Sequence, residues 1–211
     1  MTAMTVDSPT FEIKSDEQFV NDELQLMRAS VYELLGRLLA SEPDNNVLAV
    51  LRQIEGVDTS DGPLAMGWEL LKQASLKADE DAVIQEYFDL FVGVGRGELV
   101  PFGSWYITGF LMEKPLAALR ADLRKIGIKR QDGVRESEDH MAALSDVMSI
   151  MIRSNEPIES QQEFFSTHIA PWANAFFNDV QNAQAARFYR SVGFFGASFI
   201  DFEKQLLAMK V

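Results

Sequence analysis

A chain of 211 residues, 47% of them hydrophobic, is long enough to bury a core of its own. With 19 Lys and Arg against 32 Asp and Glu the formal charge is −13, a field that repels phosphate backbones and makes nucleic acid a poor partner. No cysteine is present, which removes disulfides, thiolate metal sites and cysteine nucleophiles together.

Residues 1–15 mix Thr, Ser, Asp and Pro without periodicity and read as a loose arm ahead of a domain over 16–211. The start of the chain lacks the basic residues and continuous apolar run of a secretory signal. No later apolar stretch approaches the roughly 20 residues needed to cross a bilayer. A soluble, cytoplasmic protein is the expectation.

From Glu23, the residues Leu24, Met27, Val31, Leu34, Leu35, Leu38 and Leu39 recur at three- and four-residue spacing, the mark of an amphipathic helix, which Pro43 stops. Asp44 suits the N-cap of a shorter helix through Val47, Leu48, Leu51 and Ile54, ending at Gly56. Pro63 fits the first turn of a helix carrying Leu64, Trp68, Leu71 and Leu76. Another helical pattern runs through Val83, Ile84, Tyr87, Phe88 and Phe91.

The stretch Gly93 to Ser104, GVGRGELVPFGS, is rich in glycine and contains Pro101, so it predicts a long irregular connection. Trp105 to Met112 and Pro115 to Ile126 then read as two helices, or as one bent at Pro115, closed by Gly127. The polar segment GIKRQDGVRESED links two halves of the fold. Ser137 stands where an N-cap belongs, with Glu138 and Asp139 on the positive end of the next helix. The apolar face of that helix is Met141, Leu144, Val147, Met148 and Met151. Ile158 to Ile169 and Pro171 to Val180 meet at Pro171. The last helix carries one stripe through Phe188, Val192, Phe195, Phe199, Phe202, Leu206 and Met209. The pattern predicts an all-α, single-domain helical bundle.

Catalytic signatures are sparse. The two histidines, His140 and His168, have no histidine at helical spacing, and the acids around His140 occupy adjacent positions that seldom converge on one ion. No metal and no cofactor is expected. Gly93, Gly95 and Gly97 have the residue type of a phosphate loop, but Glu98 stands where the last glycine of GxGxxG belongs and no GK[ST] occurs. Ser104 and Ser198 lie outside any GxSxG elbow, and an enzyme is not expected. What remains is a rigid aromatic turn, Pro101, Phe102, Gly103, Ser104, Trp105 and Tyr106, a charged helix start with Glu136, Glu138, Asp139 and His140, and Trp172 after Pro171. Aromatics at helix starts serve a core. An apolar pocket edged with acids also suits a peptide that carries arginines beside an apolar run.

These residues resemble the TorD/DmsD/NarJ family of molybdoenzyme maturation chaperones. FVGVGRGELVPFGSWY is similar to the family's proline–aromatic–glycine–serine loop, with Pro101, Phe102, Gly103, Ser104 and Tyr106 on matching positions. ESEDHMAAL is similar to its E-P-x-D-H helix start through Glu136, Asp139 and His140, with Ser137 where proline is usual. FFSTHIAPW is similar to its H-x-x-P-W segment through His168, Pro171 and Trp172, followed by Phe188 and Tyr189. The likeness runs from about Glu23 to Leu207. It implies a helical chaperone, monomeric or domain-swapped into dimers. Its implied partners are a molybdopterin oxidoreductase catalytic subunit and the twin-arginine signal peptide of that subunit. The peptide would meet Pro101 to Tyr106, Glu136, Glu138, Asp139, His140 and Trp172. Two alternatives stay open: a nucleotide-dependent switch or enzyme using the Gly93–Gly97 loop, and a helical adaptor for a folded partner.

Overall fold

A computed structural model describes residues 16–54, 62–130, 133 and 136–209, with side chains from residue 22 onward. The expected arm over 1–15, the helix end at Gly56 and part of the polar linker lie outside the described residues. The fold is all-α. Its helices are α1 (Asp16–Ala40), α2 (Asn45–Gln53), α3 (Pro63–Lys77), α4 (Glu80–Tyr87), α5 (Gly103–Thr108), α6 (Lys114–Lys125), α7 (Met141–Arg153), α8 (Ile158–His168), α9 (Ala173–Asn182) and α10 (Phe188–Met209). Among the described residues the sole extended pairing is one antiparallel bridge between Phe102 and His140.

Local chemistry sets most of these limits. Asp44 caps α2 by accepting from Val47 N at 2.9 Å, and Asp79 caps α4 by accepting from Ala82 N at 3.1 Å. Pro63 and Pro115 sit in the first turns of α3 and α6, where no amide donor is needed.

Several boundaries differ from the sequence expectation. The irregular connection ends at Phe102, because Gly103 and Ser104 are already the first turn of α5. That helix stops at Thr108, not Met112, since Gly109 takes a left-handed conformation (φ 80°) and its amide bonds to Trp105 O at 2.8 Å. The pattern through Phe91 is helical, but Phe88–Val92 widens into a π turn. Pro171 lies between α8 and α9, with α9 starting at Ala173. Ser137 does not cap α7. His140 does, and Glu138 and Asp139 precede the cap without entering the first turn.

The core forms where α1 lies along α7 and α10 packs against both α3 and α9. Leu35, Leu38, Phe176, Phe177, Phe195 and Phe199 are fully buried. Gly196 permits the close approach of α9 to α10: a Cβ there would lie 2.3 Å from the Phe177 ring. At the end of α1, the carbonyls of Leu38 and Leu39 accept from the Tyr189 and Tyr87 hydroxyls at 2.7 and 3.4 Å.

One ion pair crosses this core. Arg28 of α1 and Glu203 of α10 are fully buried, with Nε–Oε1 at 2.6 Å and Nη2–Oε2 at 2.8 Å. Gln161 Oε1 of α8 accepts from Arg28 Nη1 at 2.9 Å, and the Tyr32 hydroxyl donates to Glu203 Oε2 at 3.0 Å. A buried charge is tolerable when its hydrogen-bonding capacity is met in this way. The network ties α1, α8 and α10 to one another.

Candidate functional site

Asp139 ties two distant segments together. Its Oδ2 accepts from Ser104 N in the first turn of α5 at 2.9 Å, and its Oδ1 accepts from Ser137 Oγ at 2.6 Å. The backbones join beside it: Gly103 N donates to Asp139 O and Met141 N to Pro101 O, each at 2.9 Å. The aromatic turn over 101–106 and the helix start over 136–140, far apart in sequence, thus form one structural unit.

His140 follows in this bridge. Its Nδ1 accepts from Ala142 N at 3.1 Å, which caps α7 and leaves the ring proton on Nε2. Burial lowers its pKa to about 4, against the opposing charges of Glu136 and Asp139, so the ring is neutral at pH 7. The Phe102 ring meets it edge-on at 4.9 Å.

Trp172 supports the turn from below. Its Nε1 donates to His168 O at 2.8 Å, and it packs so closely on Gly103 that a Cβ there would lie 3.0 Å from Nε1. Tyr106 stacks on Trp172 with centroids 5.4 Å apart, and its hydroxyl donates to Asp179 Oδ2 at 2.8 Å. Burial and the Asp179 bond push that phenol well above its ordinary range. Arg96 lies over the Trp105 ring, 5.0 Å from its centroid. His168 Nε2 is 2.9 Å from Asp122 Oδ2, so the third motif is anchored to α6.

A groove of about 420 Å³ opens beside His140, between the end of α1, the end of α6, the linker and α7. Leu123, Ile128, Ala142, Ala143, Val147 and Ile150 give it apolar walls. Glu136, Glu138, Asp146, Lys129 and Arg130 supply its charge. Arg120 reaches Glu138 Oε2 with Nε at 2.9 Å and Nη2 at 2.8 Å. Burial pushes the Glu138 carboxyl up, but the hydrogen bond from Arg120, a backbone bond and the charges of Arg120 and Arg130 together hold it below the usual range. Arg130 Nη1 donates to Glu136 O at 3.1 Å.

The structure therefore brings all of the expected site residues into one neighbourhood but gives them different parts. Pro101, Gly103, Ser104, Asp139, His140 and Trp172 are buried; Phe102, Trp105, Tyr106 and Glu138 are half-buried; Glu136 is exposed. Sequence reasoning missed Arg120 and Asp146, which belong to helices whose apolar faces drew attention elsewhere. The Gly93–Gly97 loop folds back on the π turn. The amides of Gly93, Glu98 and Leu99 bond to Phe88, Asp89 and Leu90 carbonyls, and the Glu98 carboxylate accepts from Gln184 and Ala185 N. Those donors are spent inside the fold. Among the described residues no group of three or more His, Asp or Glu is placed to hold a metal ion, and no helix is long and apolar enough to cross a membrane.

A family model described as the nitrate reductase delta subunit matches residues 58–178, more than half of the chain. The chain belongs to this family, the TorD/DmsD/NarJ family. Curated relatives agree. A protein named "Chaperone protein TorD" from Vibrio cholerae (strain ATCC 39541) is 27% identical over 146 residues, covering 63% of this chain and 66% of the relative. The chain thus spans just under two thirds of that relative's length. One of the same name from Aliivibrio fischeri is 24% identical over 204 residues, covering 86% of this chain and 94% of the relative. A crystal structure described as a redox enzyme maturation protein from Archaeoglobus fulgidus shares the fold, with a TM-score of 0.55 at 17% identity over 94% of this chain and 99% of that one.

Proposed function

We propose that this chain is a cytoplasmic maturation chaperone for a molybdopterin oxidoreductase. In this reading it binds the twin-arginine signal peptide and the apo form of the catalytic subunit, and holds them until cofactor insertion precedes export. It acts by binding, with no reaction of its own. The observation that carries the reading is the placement of the groove. Apolar walls and carboxylates lie directly beside the joined 101–106 and 136–140 segments, which suits a peptide with basic residues next to an apolar run. The relatives named as TorD chaperones support it.

Within the peptide site, Gly103, Ser104, Asp139 and Trp172 act as supports: the Ser104 amide, both Asp139 carboxylate oxygens and Trp172 Nε1 are bonded inside the fold, and Gly103 packs on Trp172. Glu136 and Glu138, with the accessible edges of Phe102, Trp105 and Tyr106, meet the ligand. Just past the turn, Ile107, Phe110, Leu111 and Met112 are exposed, Phe110 and Met112 by 68% and 78%. Exposed apolar residues in succession suit the incompletely folded client.

The test is fluorescence anisotropy with a labelled synthetic twin-arginine signal peptide and the full chain. Saturable binding that weakens in a Glu136→Gln/Glu138→Gln double variant is expected. Absence of saturable binding refutes the reading.

A further inference from the structure

Within the groove the carboxylates are not equivalent. Glu138 already holds two guanidinium nitrogens of Arg120 on one oxygen, and Arg130 lies against the Glu136 backbone. A ligand cation that paired with Glu138 would first have to displace an ion pair. Asp146, one turn beyond Ala142 on α7, has neither an ion pair nor a hydrogen bond among the described residues. Its carboxylate rests against Gly36 of α1, where a Cβ would lie 2.6 Å from Oδ1. The missing side chain of Gly36 is what gives this carboxylate its place at the groove.

A second observation points the same way. His140 is more than nine-tenths buried and lines the groove. Its Nδ1 is committed to Ala142 N, and its Nε2–H has no acceptor among the described residues. That donor reaches solvent at the groove wall, where a ligand acceptor can take the place of water. Together the two groups ask for opposite things of a ligand, a cation and a carbonyl oxygen. A basic residue within a peptide offers both.

We propose that Asp146 is the carboxylate that receives a basic side chain of the docked peptide, with the His140 Nε2–H donating to a peptide carbonyl. This assignment rests on the reading of the groove as a peptide site. Asp146 is exposed at the groove, and desolvation on its α1 side with the nearby charge of Glu33 pushes its carboxyl up.

The experiment measures binding of the twin-arginine peptide, and of the same peptide with both arginines replaced by glutamine, to the full chain and to three variants. Asp146→Asn should raise the Kd of the arginine peptide about tenfold, as loss of a charge-assisted hydrogen bond does, and change the glutamine peptide little. Glu159→Gln, an equal charge change on the exposed surface of α8, should shift either Kd by less than about twofold. Gly36→Ala removes no charge but displaces the Asp146 carboxylate, and should weaken the arginine peptide selectively. If the wild-type chain binds neither peptide, the peptide-site reading and this assignment fall together. If wild type prefers the arginine peptide and Asp146→Asn keeps that preference undiminished, the assignment of Asp146 alone is overturned.

Discussion

Replacing Asp139 by alanine tests whether that side chain is a fold tie, as its bonds indicate, or a ligand contact. The substitution removes the acceptors of two buried hydrogen bonds, from Ser104 N at 2.9 Å and from Ser137 Oγ at 2.6 Å. The serine hydroxyl can turn to another acceptor, but the Ser104 amide is fixed in the first turn of α5. Losing a bond to a carboxylate and stranding one buried donor costs about 3 kcal/mol. Asp139→Asn keeps one oxygen for Ser104 N and should cost about 1 kcal/mol. With a urea slope of roughly 3 kcal/mol/M for a chain of this size, Asp139→Ala lowers the denaturation midpoint by about 1 M. Urea melts followed by far-UV circular dichroism measure this directly. Ser137→Ala should cost about 1 kcal/mol alone and almost nothing more once Asp139 is alanine, because both remove the same bond. An unfolding free energy for Asp139→Ala within about 0.5 kcal/mol of wild type would refute the reasoning. A loss of peptide binding in this variant therefore reports the fold before it reports the ligand.

Glu203→Gln breaks the bidentate pair with Arg28 in the core and should destabilise by about 3–5 kcal/mol, seen as a lower thermal midpoint by calorimetry. His140 gives a pH signature. Its folded pKa of about 4 lies below the ordinary 6.5, so between those values the unfolded chain binds the extra proton. The stability it confers is complete above pH 6.5 and is lost as pH falls towards 4, about 3 kcal/mol in all. In His140→Asn, whose amide oxygen can still cap Ala142 N, this part of the acid loss should vanish from urea melts between pH 7 and 4. An unchanged slope would show that the ring is not held neutral.

Helix existence was legible because the core stripes of α1 and α10 repeat at the helical period, and the caps Asp44 and Pro63 act through adjacent backbone alone. What failed to show in the sequence was non-local. Ser137 has the residue type of an N-cap, but the Phe102–His140 bridge commits the chain to an extended path through residue 140, and the cap passes to the imidazole. The stop at Gly109 is a local signal that the apolar run to Met112 concealed. The chemical neighbourhood of Pro101–Tyr106, Glu136–His140 and Trp172 could be named from the resemblance, whereas its division into buried ties and open groove could not. Glu86 illustrates the reason: it reads as one acid among many on α4, yet its carboxylate accepts from the amides of Arg187, Phe188 and Tyr189 at the start of α10. No periodicity encodes a partner about a hundred residues away.

The serine at position 137, where the resembling motif has proline, gains a physical meaning from these contacts. Proline would hold the approach to residue 139 by restricting its own φ, with no side-chain donor. Ser137 reaches the same residue through a 2.6 Å bond from its hydroxyl to Asp139 Oδ1, leaving Oδ2 for α5. The position of Asp139, and through it the seat of the aromatic turn, is thus secured by a hydrogen bond in place of a stiff ring. A hydrogen-bonded tie is free to break and re-form, whereas a ring constraint is permanent. The Ser137 bond lies within the 136–140 segment, so its loss loosens the Asp139 side chain while the backbone bonds from Gly103 N to Asp139 O and from Met141 N to Pro101 O still hold that segment to the aromatic turn.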